Sequence, residues 1–558
     1  MLRHDVLVVG AGGAGMRAAL AAAQAGVDVA ILSKVHPLRS HTGAAEGGIN
    51  AAFSEEDSWE NHAYDTIKGS DWLADQDAVE VLTREGPDAV YELDHMGAVF
   101  SRGPDGRFLL RPFGAMPIPR TAFAGDTTGH VLLHTLYQQL LKHRVKVYEE
   151  WLALDLLVED GVCAGIIAYE IPTGAVHAIG ARAVIFATGG AGRMYANTTN
   201  AYICTGDGMA IALRNGALLK DMEMVQFHPT TLPGSGILIT EGVRGEGGYL
   251  INALGERFMA RYAPRMMELA SRDVVSRAEQ TEIDEGRGVN GCVLLDLRHL
   301  GEEKIMSRLP QTRELGITFA GADPVYEPIP VRPGVHYFMG GIHTDLAGRT
   351  TIPGLYAVGE CACVSVHGAN RLGGNALLEL LVFGRRAGED AAEFARNQNS
   401  PVEVSEARVR DAERALGRLV SRTEGERWAT LRDVLAETMN REMGIFRTEE
   451  QMRHCLAVVR ELQERYNSIW LDDRGRVYNY DLVSAIELGF LLDVAEAVVV
   501  SGLARRESRG AHYRRDHPAR DDENWLKHTV VRRDPEGELH LDYLPVKITR
   551  WPPAARVY

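Results

Sequence analysis

No apolar run in the sequence is long enough to cross a bilayer. The richest, residues 497–503, falls far short of the roughly 18 to 20 residues that a spanning helix needs. Residues 1–5 run straight into an apolar stretch, which leaves no room for the basic and apolar regions of a secretory signal. Basic residues are outnumbered, 60 Lys and Arg against 76 Asp and Glu, for a formal net charge of -16. That balance disfavours non-specific binding to nucleic acid or an anionic bilayer, and an anionic small substrate then requires a local basic pocket. Cysteine is scarce: of six, only Cys361 and Cys363 lie close together, and C-x-C is neither a zinc-knuckle nor a redox C-x-x-C spacing. The six read as reduced, mostly buried thiols of a cytoplasmic protein, and no metal site is expected. There is no internal repeat and no low-complexity segment.

What is present is a chain of 558 residues, 45% hydrophobic and 24% charged, too long for one core and expected to form two to four domains. It opens on an apolar strand, residues 5–9, followed by G-A-G-G-A-G from Gly10 to Gly15, an alanine-rich helix to about Ala25 and a second strand over 27–32. This order of strand, glycine turn, helix and strand is the dinucleotide fingerprint. Gly10 permits the tight turn, Gly12 lets the backbone approach a pyrophosphate, and Gly15 allows close packing of helix on strand. Ser33 and Lys34 replace the acidic residue usual after the second strand, which disfavours a simple NAD enzyme. Residues 183–190 (A-V-I-F-A-T-G-G), 205–208 (T-G-D-G) and 353–360 (P-G-L-Y-A-V-G-E) match the later sheet elements of two-dinucleotide-fold flavoproteins, so FAD is the expected cofactor. Between them, 223–337 has few strong strand runs and many polar catalytic residue types, as an inserted cap would. Amphipathic helices are expected over 405–421, 428–443, 448–466 and 481–503. The tail from Arg506 is basic and then polar, with E-S-R-G-A-H from Glu507 and R-D-D-E-N-W from Arg520 expected in loops.

Seven motifs stand in order: R-S-H-T from Arg39, A-E-G-G from Ala45, H-P-T-T from His228, T-E-G-V-R-G-E-G-G from Thr240, H-Y-F-M-G-G from His336, H-G-A-N-R-L-G-G-N from His367 and E-S-R-G-A-H from Glu507. Together they resemble the flavoprotein subunits of succinate dehydrogenase and fumarate reductase, from near the N-terminus to the tail. The resemblance implies an α/β fold: a Rossmann-like two-dinucleotide-fold FAD domain (1–222 and 341–400), an inserted α+β capping domain (223–340), a helical domain (401–505) and a C-terminal segment (506–558). It implies that succinate and fumarate are interconverted by hydride transfer. The histidine of R-S-H-T, His41, is implied to carry FAD covalently, which raises the flavin potential and prevents its loss. Other implied FAD contacts are Gly10, Gly12, Gly13, Ala14, Gly15, Ser33, Lys34, Ser40, Thr42, Gly47, Gly48, Ala187, Thr188, Gly189, Asp207, Glu360, Arg371, Asn375, Ala376 and Leu377. Residues 373–378 begin a helix whose N-terminal dipole favours negative charge on a reduced flavin. Many family members have serine where this chain has Ala376.

Both substrates are dianions, and Arg371 offers the planar fork of a bidentate carboxylate clamp. By resemblance His228, Thr240 and His336 supply the other carboxylate contacts, Arg272 exchanges the proton opposite the hydride, and Glu241 with Arg244 relays it. An arginine has a pKa above about 12 and needs such a relay. L-aspartate oxidase and a soluble fumarate reductase are the rival enzymes, disfavoured by the R-S-H-T histidine and, for the oxidase, by the tail motif as well. Glu46 stands where some members carry glutamine, the acidic form being commoner in reductases; the chemistry is read as reversible, leaning to dehydrogenase. With no cysteine cluster here to take electrons singly, an iron-sulfur protein subunit is implied, with membrane-anchor subunits beyond it. The chain is then peripheral, on the cytoplasmic face of the cell membrane, with no nucleic-acid partner.

Overall fold

The computed structural model describes residues 2–398 and 406–557. The expected helical-domain boundary at 401 and helix start at 405 lie outside them. The central layer follows from fully apolar strands: Val6 to Val9 of Leu2–Val9 and all of Val29–Ser33 are buried, as a parallel sheet covered on both faces demands. Four parallel strands run in the order Lys146–Glu149, Val29–Ser33, Leu2–Val9, Ala175–Phe186. The far edge of Ala175–Phe186 is shared. Its first half takes antiparallel Val162–Glu170, with Trp151–Glu159 beyond, and its second half takes parallel Leu355–Ala357. Helix Gly13–Gln24 lies on one face and packs against the long helix Asn375–Asn397.

The chain passes through the short strand Leu219–Lys220 and returns antiparallel beside it at Gly341–His343. Between these, Val225–Thr231, Ile329–Phe338, Val293–Asp296 and Tyr249–Ile251 form a four-stranded antiparallel sheet in that order. The weak strand pattern of 223–337 therefore understates its β content. Its strands are short or interrupted by Pro229, Pro330 and Pro333, and they pair because they share a core of Leu250, Val293, Leu295, Ile329 and Val331. Helix Arg272–Asp284 lies against Val225–Thr231, where Ser276 Oγ donates to Phe227 O at 3.2 Å.

Helices Glu406–Ser421, Trp428–Glu442, Glu449–Tyr466 and Tyr480–Ala504 follow the expected spans closely. Thr448 caps the third, its hydroxyl accepting from Gln451 N. No helix among the described residues is long and apolar enough to cross a membrane. All six cysteines are buried free thiols. The tail is less loop-like than expected: Asp522–Trp525 is one helical turn capped by Asp521, which corrects the loop expected for R-D-D-E-N-W. Strands Lys527–Arg533 and Leu539–Pro545 then add a hairpin to Leu219–Lys220.

Buried charges join this tail to the rest. Arg505 donates to Glu223 at 2.6 Å and to Glu507 at 2.8 Å, and Arg509 donates to Glu507 at 2.7 Å. His528 lies between Asp221 at 2.6 Å and Asp75 at 3.2 Å. Burial opposes charge on this imidazole, but Asp221 and then Asp75 outweigh it and hold the group above its ordinary value. His528→Leu is expected to cost about 3–5 kcal/mol, the scale of a broken buried pair, read as a lower Tm. A folded pKa raised above the unfolded one gives stability that is complete below the ordinary imidazole value and lost as pH rises through the folded value. The Tm gap between parent and variant is thus largest in mild acid and narrows in alkali; a gap indifferent to pH would remove the charge from this account.

Candidate active site

Gly10 has φ 111°, and a Cβ there would lie 2.2 Å from Ala187 O; at Gly15 a Cβ would lie 2.0 Å from Gly10 O. Both positions demand glycine, and the turn they make sets a helix N-terminus beside the strand ends. Gly13 N donates to Thr42 Oγ1 at 3.0 Å, tying this turn to the loop that carries His41. One cavity of about 670 Å³ is lined by the glycine turn, the His41 loop and the polar residues of the inserted sheet. Gly10, Gly12, Gly13, Ala14, Ser33, Lys34, Ser40, His41, Thr42, Gly47, Gly48, Ala187, Thr188, Gly189, Asp207, Glu360, Arg371, Ala376 and Leu377 all contribute to its wall. So do His228, Thr240, Glu241, Arg272 and His336.

Three expected residues do not. Gly15 packs against Gly10 instead. The Asn375 amide is taken up by Asn50, His62 and Thr66, at 2.8–2.9 Å, so it braces the start of its helix. Arg244 is buried behind Glu241 rather than in the wall. Lys34 lines the cavity with its side chain already engaged: its Nζ donates to Thr205 at 2.7 Å, Asp207 at 2.8 Å and Glu487 at 2.6 Å. The lysine in the usual acidic place is therefore neutralised within the protein.

His41 sits in a short 3-10 turn, His41–Ala44. Its Nδ1 accepts from Ala201 N at 3.4 Å, and burial pushes the imidazole down to about 4, so it is neutral with Nε2 left over. Ser40 Oγ is buried without a protein partner in the same wall. A flat, polar-edged cofactor resting on a glycine turn fits this set.

The remaining wall is cationic. Arg371 stacks over Tyr337, 4.4 Å from the ring centroid, and its buried Nε has no partner among the described residues. Burial and then Arg272 push this guanidinium down to about 10, and it stays charged at neutral pH. Thr230 N donates to His228 Nδ1 at 3.2 Å, so the neutral ring carries its proton on Nε2, which is buried without a partner. His336 Nδ1 pairs with Thr199 Oγ1 at 2.8 Å, and its ring centroid is 4.9 Å from that of His228. Burial first, then Arg272 and other cationic groups, hold both histidines well below their ordinary value. Arg272 Nε donates to Glu241 at 2.7 Å, and Arg244 lies 3.8 Å from the same carboxylate. Burial would raise Glu241, but Arg272 and Arg244 hold it at about 2.

Some participants gave no sequence signal. Gln226, which accepts from Arg272 at 3.1 Å, lies just ahead of H-P-T-T, and Tyr337 lies inside H-Y-F-M-G-G without a role assigned to it. Thr199, Ala201 and Glu487 lie in stretches with no motif, and only the fold brings them here.

The chain matches the FAD binding domain family over residues 5–377 and the fumarate reductase flavoprotein C-terminal family over 432–558. A fumarate reductase flavoprotein subunit of Mycobacterium tuberculosis is 51% identical, with 100% of this chain and 99% of that protein covered. The chain belongs to the fumarate reductase and succinate dehydrogenase flavoprotein family. A succinate dehydrogenase flavoprotein subunit of Rickettsia conorii is 48% identical over 100% of this chain and 98% of its own. Among solved structures of this flavoprotein family, a variant of the Escherichia coli quinol fumarate reductase superposes with a TM-score of 0.97 at 48% identity, covering 100% of this chain and 99% of that one. The matched FAD binding domain, residues 5–377, supplies the glycine turn and nearly all of the cavity wall.

Glu46, in A-E-G-G, also lines this flavoprotein's cavity. Burial and then Asp126 push it up to about 8, so it is neutral at pH 7 and adds a negative charge above that value. Affinity for a small dicarboxylate is expected to fall by roughly fivefold as pH rises through this range, a repulsion of about 1 kcal/mol. Kd measured between neutral and alkaline pH should lose this component in Glu46→Gln; an unchanged profile would contradict the assignment.

Proposed function

We propose that this flavoprotein interconverts succinate and fumarate, holds FAD covalently through His41, and passes electrons to an iron-sulfur protein subunit and then to quinone through a membrane anchor. One observation carries the substrate assignment: His228 Nε2 and Arg371 Nε, buried and without partners among the described residues, share a cavity wall with Arg272. Donors left unsatisfied in a cationic wall call for an anion, and two separated donor groups call for two carboxylates. The names of the relatives, fumarate reductase and succinate dehydrogenase, support the same compounds. His41 fits a covalent role because its Nδ1 is occupied and its Nε2 is not. Peripheral attachment at the cytoplasmic face of the membrane belongs to the same reading, supported by the quinol in the names of its structural neighbours. So does division into 1–222, 223–340, 341–400, 401–505 and 506–558.

FAD, when bound, supplies the hydride acceptor or donor. Arg371 clamps one carboxylate through its fork, and His228, Thr240 and His336 hold the other. Donors at both ends twist a carboxylate and polarise the carbon–carbon bond, a preorganised electrostatic stabilisation. Arg272 holds the proton exchanged at the other carbon, and Glu241, bonded to its Nε, hands protons between it and Arg244. The same groups serve both directions.

On the purified protein with artificial electron acceptors and donors, succinate oxidation and fumarate reduction are expected and aspartate oxidation is not; turnover of aspartate alone would overturn the assignment. Arg272→Ala should retain dicarboxylate binding while kcat falls about 10³-fold, and near-parental kcat would take Arg272 out of the mechanism. On a denaturing gel the protein should fluoresce at the flavin, and His41→Ala should not.

A further inference from the structure

Gln226 is fully buried on Val225–Thr231, two residues before His228, and is not part of the cavity wall. It pairs with Tyr337 and Phe227 pairs with Val335, so His336 is the extra residue of a bulge beside it. Its amide has only one workable orientation. Oε1 accepts from Arg272 Nη1 at 3.1 Å, and a guanidinium only donates; Nε2 donates to Arg371 O at 2.7 Å and Asn370 Oδ1 at 2.9 Å, which only accept. A flipped amide would set donor against donor and acceptor against acceptor. The same side chain thus bonds to both cavity-lining arginines, to one through its guanidinium and to the other through its backbone.

The two ends of this bridge are unequal. The loop 369–373 has supports of its own: Ala511 N donates to Ala369 O, Asn370 Nδ2 donates to Gly69 O at 2.9 Å, and Asn50 Nδ2 donates to Gly373 O at 2.6 Å. The Arg371 guanidinium also rests on Tyr337. Arg272 has less: Glu241 holds it at Nε, 2.7 Å away, and Gln226 holds it at Nη1. The loop lies against this pair, since a Cβ at Gly373 would sit 2.8 Å from Glu241 Oε2 and 3.2 Å from Arg272 Nη2. Anchors at two edges fix the plane of a guanidinium, whereas one leaves it free to turn. Gln226 does this without charge, so it orients Arg272 without neutralising it towards an incoming dianion.

We infer that Gln226 is the positioning residue that registers Arg272 against the Arg371 loop, so that a dicarboxylate clamped by Arg371 meets the Arg272 proton at one fixed carbon. The inference rests on the succinate–fumarate reading. Gln226 itself carries no proton of the reaction; it acts through Arg272. Removing its amide leaves the loop on its other supports, so the substrate stays clamped while Arg272 loses its alignment.

Gln226→Met keeps the length and burial of the side chain and removes both hydrogen-bonding ends. In the flavin-loaded protein it should lower kcat about 10²-fold in both directions, the scale of an ångström-sized misplacement, with KM and the Kd of the unreactive dicarboxylate malonate within about threefold of the parent. Gln226→Asn, which keeps an amide but withdraws it by one carbon, should show the same split and serves if the methionine variant folds poorly. A double-mutant cycle separates positioning from general damage. In the Arg272→Ala background Gln226→Met should cost less than about threefold in kcat, because the group it orients is gone, whereas unrelated damage multiplies with the loss of Arg272. Parental kcat, a loss confined to KM, or multiplicative losses in the cycle overturns the inference. A parent that turns over neither succinate nor fumarate removes the functional reading and this inference with it; a parent that turns over both, matched by Gln226→Met, removes the inference alone.

Discussion

Two buried guanidinium groups, Arg272 and Arg371, face one cavity, and among the described residues a single carboxylate, Glu241, bonds to Arg272 while none bonds to Arg371. Positive charge held away from water with too few counter-charges destabilises a protein, and folds tolerate it where a ligand completes the set. The architecture around this pair holds that imbalance in place. The inserted sheet supplies His228 and His336 from adjacent antiparallel strands, and the helix lying against it supplies Arg272. Arg371 comes instead from the loop leading into the long helix beside the glycine turn. The cationic wall exists only where these two parts of the chain meet.

Much of this was legible in the residues. The strand, glycine turn and helix at the N-terminus announce themselves because a backbone approach of 2.0–2.2 Å to a would-be Cβ excludes every side chain. The helices after 405 were legible because their apolar residues repeat at three and four along one buried face. The inserted sheet was not, since short strands broken by proline carry little alternating pattern and owe their pairing to partners distant in sequence. Individual side chains were harder still. Asn375 and Gly15 stand in the right motifs, yet they serve the scaffold beside the site, a distinction that depends on which way a side chain points. Lys34, placed where a ribose contact is usual, finds Asp207 and Glu487 from far along the chain.

The groups in the cationic wall do not favour one direction of reaction. His228 and His336 are neutral, Glu46 is neutral below about 8, and Glu241 is ionised, so no side chain must change protonation before substrate of either oxidation state is held. Relatives named for each direction match at 51% and 48% identity, as expected if the site is common to both and the driving force lies with what receives the electrons.

The charged tail has a consequence for the order in which the protein becomes competent during synthesis. Ala511 N donates to Ala369 O, two residues before Arg371, and Arg556 donates to Ser271 and Asp273, on either side of Arg272. Supports of both cavity-facing arginines thus come from residues 511 and 556, far along the chain from the glycine turn and its sheet. A nascent chain can form the cofactor's cradle well before it can hold the substrate wall in register.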